Sequence, residues 1–228
     1  GIDVFGGYGM SETCPLLLIS HVDPTAIAEG EDELDARTAA GRAVILADVR
    51  VVDEEMRDLP ADGRSRGELV ARAPWLTRGY LGNGADTREL WRGGFLHTGD
   101  IATRNSGGYF RIVDRIKDVI KSGGEWISSI DLENLAVGHP KVAEAAVIGI
   151  RHPKWDERPL LVVVLKKEET AAKEEILAFM QGKVANWWMP DDVAFVDEIP
   201  HTATGKIQKT ALRERFKDYI LPGSVAAE

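Results

Sequence analysis

Asp114-Arg115-Ile116-Lys117-Asp118-Val119-Ile120-Lys121-Ser122-Gly123-Gly124-Glu125-Trp126-Ile127-Ser128 divides the sequence into two textures. The charged run Asp114–Asp118 lies between strand-like segments and marks a domain boundary, with residues 1–115 on one side and 116–228 on the other. If Lys117–Lys121 is extended, its two lysines and Val119 point to one side, and Gly123-Gly124 then turns the chain with little steric limit. Two readings of the stretch stay open: a loop that carries chemistry, or an amphipathic hairpin with a solvated lysine face and Trp126 as an ordinary packing aromatic.

Upstream, short strand candidates recur at Val44–Leu46, Val49–Val52, Glu68–Ala71, Ile101–Thr103 and Tyr109–Val113. Turn signals such as Ala61-Asp62-Gly63 and Ser106-Gly107-Gly108 separate them. That spacing predicts a small, largely antiparallel, barrel-like β subdomain. Nearer the start, Gly6-Gly7-Tyr8-Gly9 between apolar segments reads as strand, tight loop, strand, and the acidic stretch Pro24–Arg37 reads as an exposed excursion. Downstream, helical spacing predicts helices over Ser129–Val137, Ala171–Met180 and Lys209–Tyr219. Strands are expected at Ala145–Ile150, Leu160–Leu165 and Val193–Val196. The whole is a mixed α/β and α+β chain: a β-rich subdomain followed by an α+β unit.

Composition narrows the partners. Lys and Arg number 28 against 37 Asp and Glu, a net charge of −9 that repels a broad polyanion, so nucleic acid is not expected. No segment approaches the roughly 18–20 continuous apolar residues of a membrane span. The single cysteine, Cys14, forms no internal disulfide, which fits a reducing cytoplasm, and no secretory signal is visible.

Four segments interrupt the apolar pattern. In Gly6-Gly7-Tyr8-Gly9-Met10-Ser11-Glu12-Thr13, glycines admit a ligand to the backbone while Ser11 and Glu12 offer a hydroxyl and a carboxylate suited to phosphate and Mg²⁺; the alternative is a glycine turn whose Ser and Glu cap a helix. In His97-Thr98-Gly99-Asp100, a carboxylate at a strand start matches the two hydroxyls of a ribose, or is an Asp-containing turn. The third is the Asp114–Ser128 stretch. In Pro200-His201-Thr202-Ala203-Thr204-Gly205-Lys206-Ile207, Lys206 is a mobile point charge, or merely a surface lysine, and the spaced glycines of a Walker A loop are missing.

Together and in this order, the four segments resemble the adenylate-forming superfamily that includes acyl-CoA synthetases, firefly luciferase and peptide-synthetase adenylation domains. The third segment, its continuation Ser129–Asn134, His152-Pro153-Lys154-Trp155-Asp156-Glu157-Arg158-Pro159 and the Lys206 loop look most like bacterial medium- and long-chain fatty-acyl-CoA synthetases. The resemblance implies ATP, Mg²⁺, a fatty acid and coenzyme A as partners, and two steps: an acyl-adenylate, then a thioester. It implies that Gly6, Gly7 and Tyr8 line the adenine site, that Ser11 touches phosphate, that Glu12 holds Mg²⁺, and that Asp100, assisted by Arg115, accepts the ribose hydroxyls. Residues 116–228 would form a mobile lid swivelling at Lys117. Lys121 and Trp126 would border the nucleotide, Gly123 the pantetheine tunnel, and Lys206 would enter the site for adenylation. Ser11 stands where threonine is usual and Asp114 where glycine is frequent. A phosphate loop and most of the acyl pocket are expected upstream of Gly1, so the chain alone is expected to be inactive. The readings that share these motifs are an aryl or short-chain acid ligase, an adenylate ligase feeding a carrier protein, and, from another class, a non-catalytic nucleotide-binding module. Homodimerisation and peripheral membrane contact stay open.

Overall fold

The computed structural model describes residues 4–22, 33–203 and 205–223. The chain forms two compact units, Gly1–Ile116 and Lys117–Glu228.

In the first unit, β1 (Gly7–Tyr8), β2 (Leu18–Ile19) and β3 (Arg42–Ala43) make a small antiparallel sheet in that order, with α1 (Glu33–Thr38) between β2 and β3. The Glu33–Arg37 part of the acidic excursion is therefore helical, tied by the Arg37–Glu33 pair one turn apart; residues 24–32 of that excursion lie outside the described residues. A four-stranded antiparallel meander follows: β4 (Asp48–Val52), β5 (Gly67–Arg72), β6 (Leu96–Arg104) and β7 (Phe110–Arg115). No described strand joins β4 to β7, so the sheet is open where a barrel-like subdomain was expected. The inward residues Val49, Val51, Leu69, Ala71, Leu96 and Ala102 alternate along the strands and share one core with Leu17 and Leu18. Between β5 and β6 lies α2 (Gly84–Leu90), begun where Asn83 Oδ1 accepts from the Asp86 N–H.

The expected strand at Val44–Leu46 is a turn. Ala47 N donates to Val44 O at 3.0 Å, and Leu46 takes φ 68°. Ile45 and Leu46 are 88% and 74% exposed: an apolar triplet forms a strand only when a neighbouring strand and a face to bury are at hand.

The second unit is a five-stranded sheet: β8 (Ile120–Ser122), β9 (Glu125–Ile127), β10 (Val142–His152), β11 (Asp156–Leu165) and β12 (Asp192–Phe195). One edge of β11 pairs along its length with antiparallel β10. Its other edge is divided between β8, at Asp156↔Ser122, and parallel β12, from Leu160↔Asp192 to Val163↔Phe195. Both faces are covered. Val147, Leu161 and Val163 pack with residues of α3 (Ser129–Val137) and α4 (Lys173–Met180), whereas Ile148, Leu160 and Val162 pack with Leu212 of α5 (Lys209–Arg215). This period-two division explains why β11 reads as an unbroken apolar run.

Polar networks tie these layers. Arg158 on β11 donates to Asp191, Ser122 Oγ and the carbonyls of Trp187 and Met189. Lys209 Nζ lies 2.7 Å from Glu133 and joins α5 to α3. Asp192 accepts from Lys173 Nζ, Tyr219 Oη and its neighbour's backbone N–H. Among the described residues, no helix is long and apolar enough to cross a membrane.

Candidate functional site

In the first unit, the centre of the polar residues is Asp100, mid-β6 and only 8% exposed. Tyr8, at the end of β1, donates from its phenol to Asp100 Oδ2 at 2.5 Å. Arg115 lies opposite Asp100 in the β6–β7 register, with Nε 3.4 Å from Oδ1. Burial, and then the adjacent Asp100 carboxylate, push the Tyr8 phenol far above its ordinary value, so it stays protonated and donating. Thr98 completes the group: its hydroxyl donates to Leu69 O at 2.7 Å and accepts from Asp100 N at 3.1 Å.

Glu12 sits on a single 3₁₀ turn, Ser11–Thr13. The capping reading of Ser11 and Glu12 does not hold, because the buried Thr13 hydroxyl does that work: it accepts from Met10 N at 2.8 Å and donates to Pro15 O at 2.7 Å. The loop closes so tightly that a Cβ on Gly9 would stand 1.6 Å from Pro15 O, a position no side chain can share. Glu12 Oε1 accepts from Tyr80 Oη at 2.6 Å, and that bond, with some burial, pushes the Tyr80 phenol up to about 12. Oε2 has no partner among the described residues. Ser11 is exposed beside it, and the Gly6 N–H donates to Ser20 Oγ.

In the second unit, Lys117–Lys121 is not extended. Ile116–Asp118 is a turn; Val119 is buried whereas Lys117 and Lys121 are exposed, so the three do not share a side. Arg213 of α5 holds the turn by its 2.7 Å pair with Asp118. The hairpin β8–β9 turns at Gly123-Gly124, with φ of 60° and 87°, the two positive values a type I′ loop needs. Lys121 and Trp126 face each other across it. Gly123 N donates to Trp155 O at 2.8 Å, and a Cβ at position 123 would stand 3.0 Å from the indole Cε3. Lys206 is exposed on a loop held by its backbone: its carbonyl accepts from Thr202 N at 2.8 Å and its N–H donates to Thr202 Oγ1 at 3.2 Å. Thr204 of that loop lies outside the described residues. The ammonium groups of Lys117, Lys121 and Lys206 have no partner among the described residues.

Sequence reasoning gave no role to Tyr80, Trp155 or Glu68, which touch or brace the candidate residues. Tyr80 is 68 positions from Glu12 and Glu68 is 31 from Gly99. No local pattern signals a contact made at such separations.

Two family models match the chain: the AMP-binding enzyme at residues 1–81 and the AMP-binding enzyme C-terminal domain at 131–206. The chain is 47% identical over 221 residues to a long-chain-fatty-acid–CoA ligase of Thermus thermophilus, covering 96% of this chain and 41% of the relative. It is 41% identical over 229 residues to a medium-chain-fatty-acid–CoA ligase of Ectopseudomonas oleovorans, covering 98% and 41%. Among solved structures, ATP-bound MatB from Rhodopseudomonas palustris superposes with TM-score 0.79 at 31% identity, covering 93% of this chain and 40% of that one. The o-succinylbenzoate CoA synthetase of Bacillus subtilis, in complex with its acyl-adenylate intermediate, gives 0.80 at 26%, covering 97% and 42%. The chain thus spans about two fifths of the length of the curated relatives it matches.

Proposed function

The chain belongs to the family of AMP-binding enzymes, and on that premise we propose that its residues serve the ATP-dependent joining of a fatty acid to coenzyme A. The acid carboxylate attacks the α-phosphate of ATP, giving an acyl-adenylate and pyrophosphate; the thiol then attacks the acyl carbonyl and releases AMP. The observation that carries this reading is the buried Asp100 carboxylate, held by Tyr8 on one oxygen and approached by Arg115 on the other. A carboxylate held in one orientation, with two oxygens side by side, matches the two hydroxyls of a vicinal diol such as ribose. The fatty-acid assignment rests on the relatives of Thermus and Ectopseudomonas.

In this reading Gly6, Gly7 and Tyr8 line the adenine, and Ser11 donates to phosphate. Glu12 fits a hard divalent cation: its Oε1 is fixed by Tyr80 and its Oε2 has no partner among the described residues. No group of three or more acidic, His or Cys residues that could hold a metal occurs among the described residues. A lone carboxylate of this kind suits Mg²⁺, which commonly binds through one or two carboxylates plus substrate phosphates. When bound, Mg²⁺ would offset the charge that gathers at the phosphates. Lys206, with no competing partner among the described residues, would bring a second positive charge to the first step. Lys117 would be the pivot of a lid motion presenting the Gly123 hairpin for the second, with Lys121 and Trp126 at the nucleotide.

The test is pyrophosphate release and acyl-CoA formation by the complete gene product, with octanoate, palmitate, butyrate and benzoate offered in turn. Medium- or long-chain acyl-CoA is the expected product. Selective use of benzoate or butyrate would overturn the acid assignment, and adenylate without thioester would overturn the acceptor.

A further inference from the structure

The strand that carries Asp100 is irregular just before it. His97 pairs with Val70 and Ile101 with Glu68, so three residues of β6 stand against one of β5. A bulge of this kind re-aims a side chain but leaves backbone groups without ladder partners. Side chains supply them. Thr98 Oγ1 donates to Leu69 O, the one opposed residue, and accepts from Asp100 N. The Gly99 N–H donates to Glu68 Oε1 at 3.2 Å. The other oxygen, Glu68 Oε2, lies 2.8 Å from His97 Nδ1, and His97 Nε2 lies 2.9 Å from the carbonyl of Arg92. One largely buried carboxylate therefore grips the bulge at both His97 and Gly99.

From this geometry we propose that Glu68 is a positioning residue: it fixes the Thr98–Gly99 bulge and thereby the direction of the Asp100 carboxylate toward the ribose hydroxyls. Glu68 touches no substrate. The inference rests on the nucleotide reading of Asp100, and the experiment separates the two.

Affinities for ATP and 2′-deoxyATP are measured by calorimetry on the complete gene product. A general weakening of the fold lowers both affinities alike, whereas a misdirected Asp100 lowers their ratio. Glu68→Ala is expected to narrow the preference for ATP by about tenfold, the weight of one hydrogen bond to a charged group. Glu68→Gln, whose amide oxygen still accepts from Gly99 N, is expected to retain most of it. Should Glu68→Ala fail to fold, Glu68→Asp, one methylene short of Gly99, replaces it with the same expectation. An unchanged ratio in a folded Ala or Asp variant overturns the inference. An unchanged ratio in Asp100→Asn overturns the nucleotide reading itself.

Discussion

The two units use charge in opposite ways. In the first, carboxylates are held in place by phenols: Asp100 by Tyr8 and Glu12 by Tyr80. In the second, the well-buried charges are consumed by the frame, as Arg158–Asp191, Lys209–Glu133 and Asp192 with Lys173 and Tyr219. Lys117, Lys121 and Lys206, at the surface of that unit, have no partner among the described residues. On the proposed reading, the first set would accept from ribose or hold a cation, and the second would bring positive charge to a polyphosphate.

The sharpest way to break this contrast is Lys206→Ala. Acyl-adenylate formation by the complete gene product, followed as pyrophosphate exchange, should fall by about 10²–10³-fold, while the melting temperature stays unchanged because the side chain is exposed and unpaired. Full-speed exchange would remove Lys206 from the chemistry. The frame charges should behave in reverse. Asp192→Ala should cost about 2–3 kcal/mol in urea unfolding, because it strands Lys173 and Tyr219. Burial acts to raise the Asp192 carboxyl, and the hydrogen bonds from Lys173 and Tyr219 outweigh it, holding the group below its ordinary value. Its stabilisation is then complete above about pH 4 and lost as pH falls through the depressed folded value. The gap between wild type and Asp192→Asn should accordingly close in acid; a gap that widens would reverse the assignment.

Gly123→Ala tests the hairpin between the two behaviours. Positive φ and the indole 3.0 Å away should cost about 1 kcal/mol and slow thioester formation while leaving pyrophosphate exchange intact. Loss of exchange instead would place Gly123 in the first step. The smallest effect is spectroscopic: the tyrosinate titration at about pH 12 should move down toward 10 in Glu12→Gln. An unmoved titration would dissolve the Tyr80–Glu12 bond.

Elements that bury their own periodicity were legible in the sequence. The helix read over Ser129–Val137 has those bounds, and the apolar run Leu160–Leu165 lies within β11. The reading of the last helix to Tyr219 overran, since α5 stops at Arg215 and Phe216 caps it by donating to Leu212 O. Helix α2 escaped notice because its signal is a polar cap, Asn83 with Asp86, and only one buried residue, Leu90. At the candidate site, Tyr8, Asp100 and Arg115 could be singled out one by one. That the first two share a hydrogen bond across 92 positions is a product of packing, as is the grip of Glu68 on a bulge. The error at Lys117–Lys121 has the same root: alternation presumes a strand, and Arg213 draws Asp118 into a turn.

The divided edge of β11 bears on the order in which the chain assembles. Its hairpin with β10 closes locally, but Leu160–Val163 stay without their second neighbour until residues 192–195 have emerged from the ribosome and crossed over by way of α4. Until then one edge of Leu-Leu-Val-Val lacks its native neighbour, and an unpaired apolar edge is the kind of surface on which strands of other chains pair.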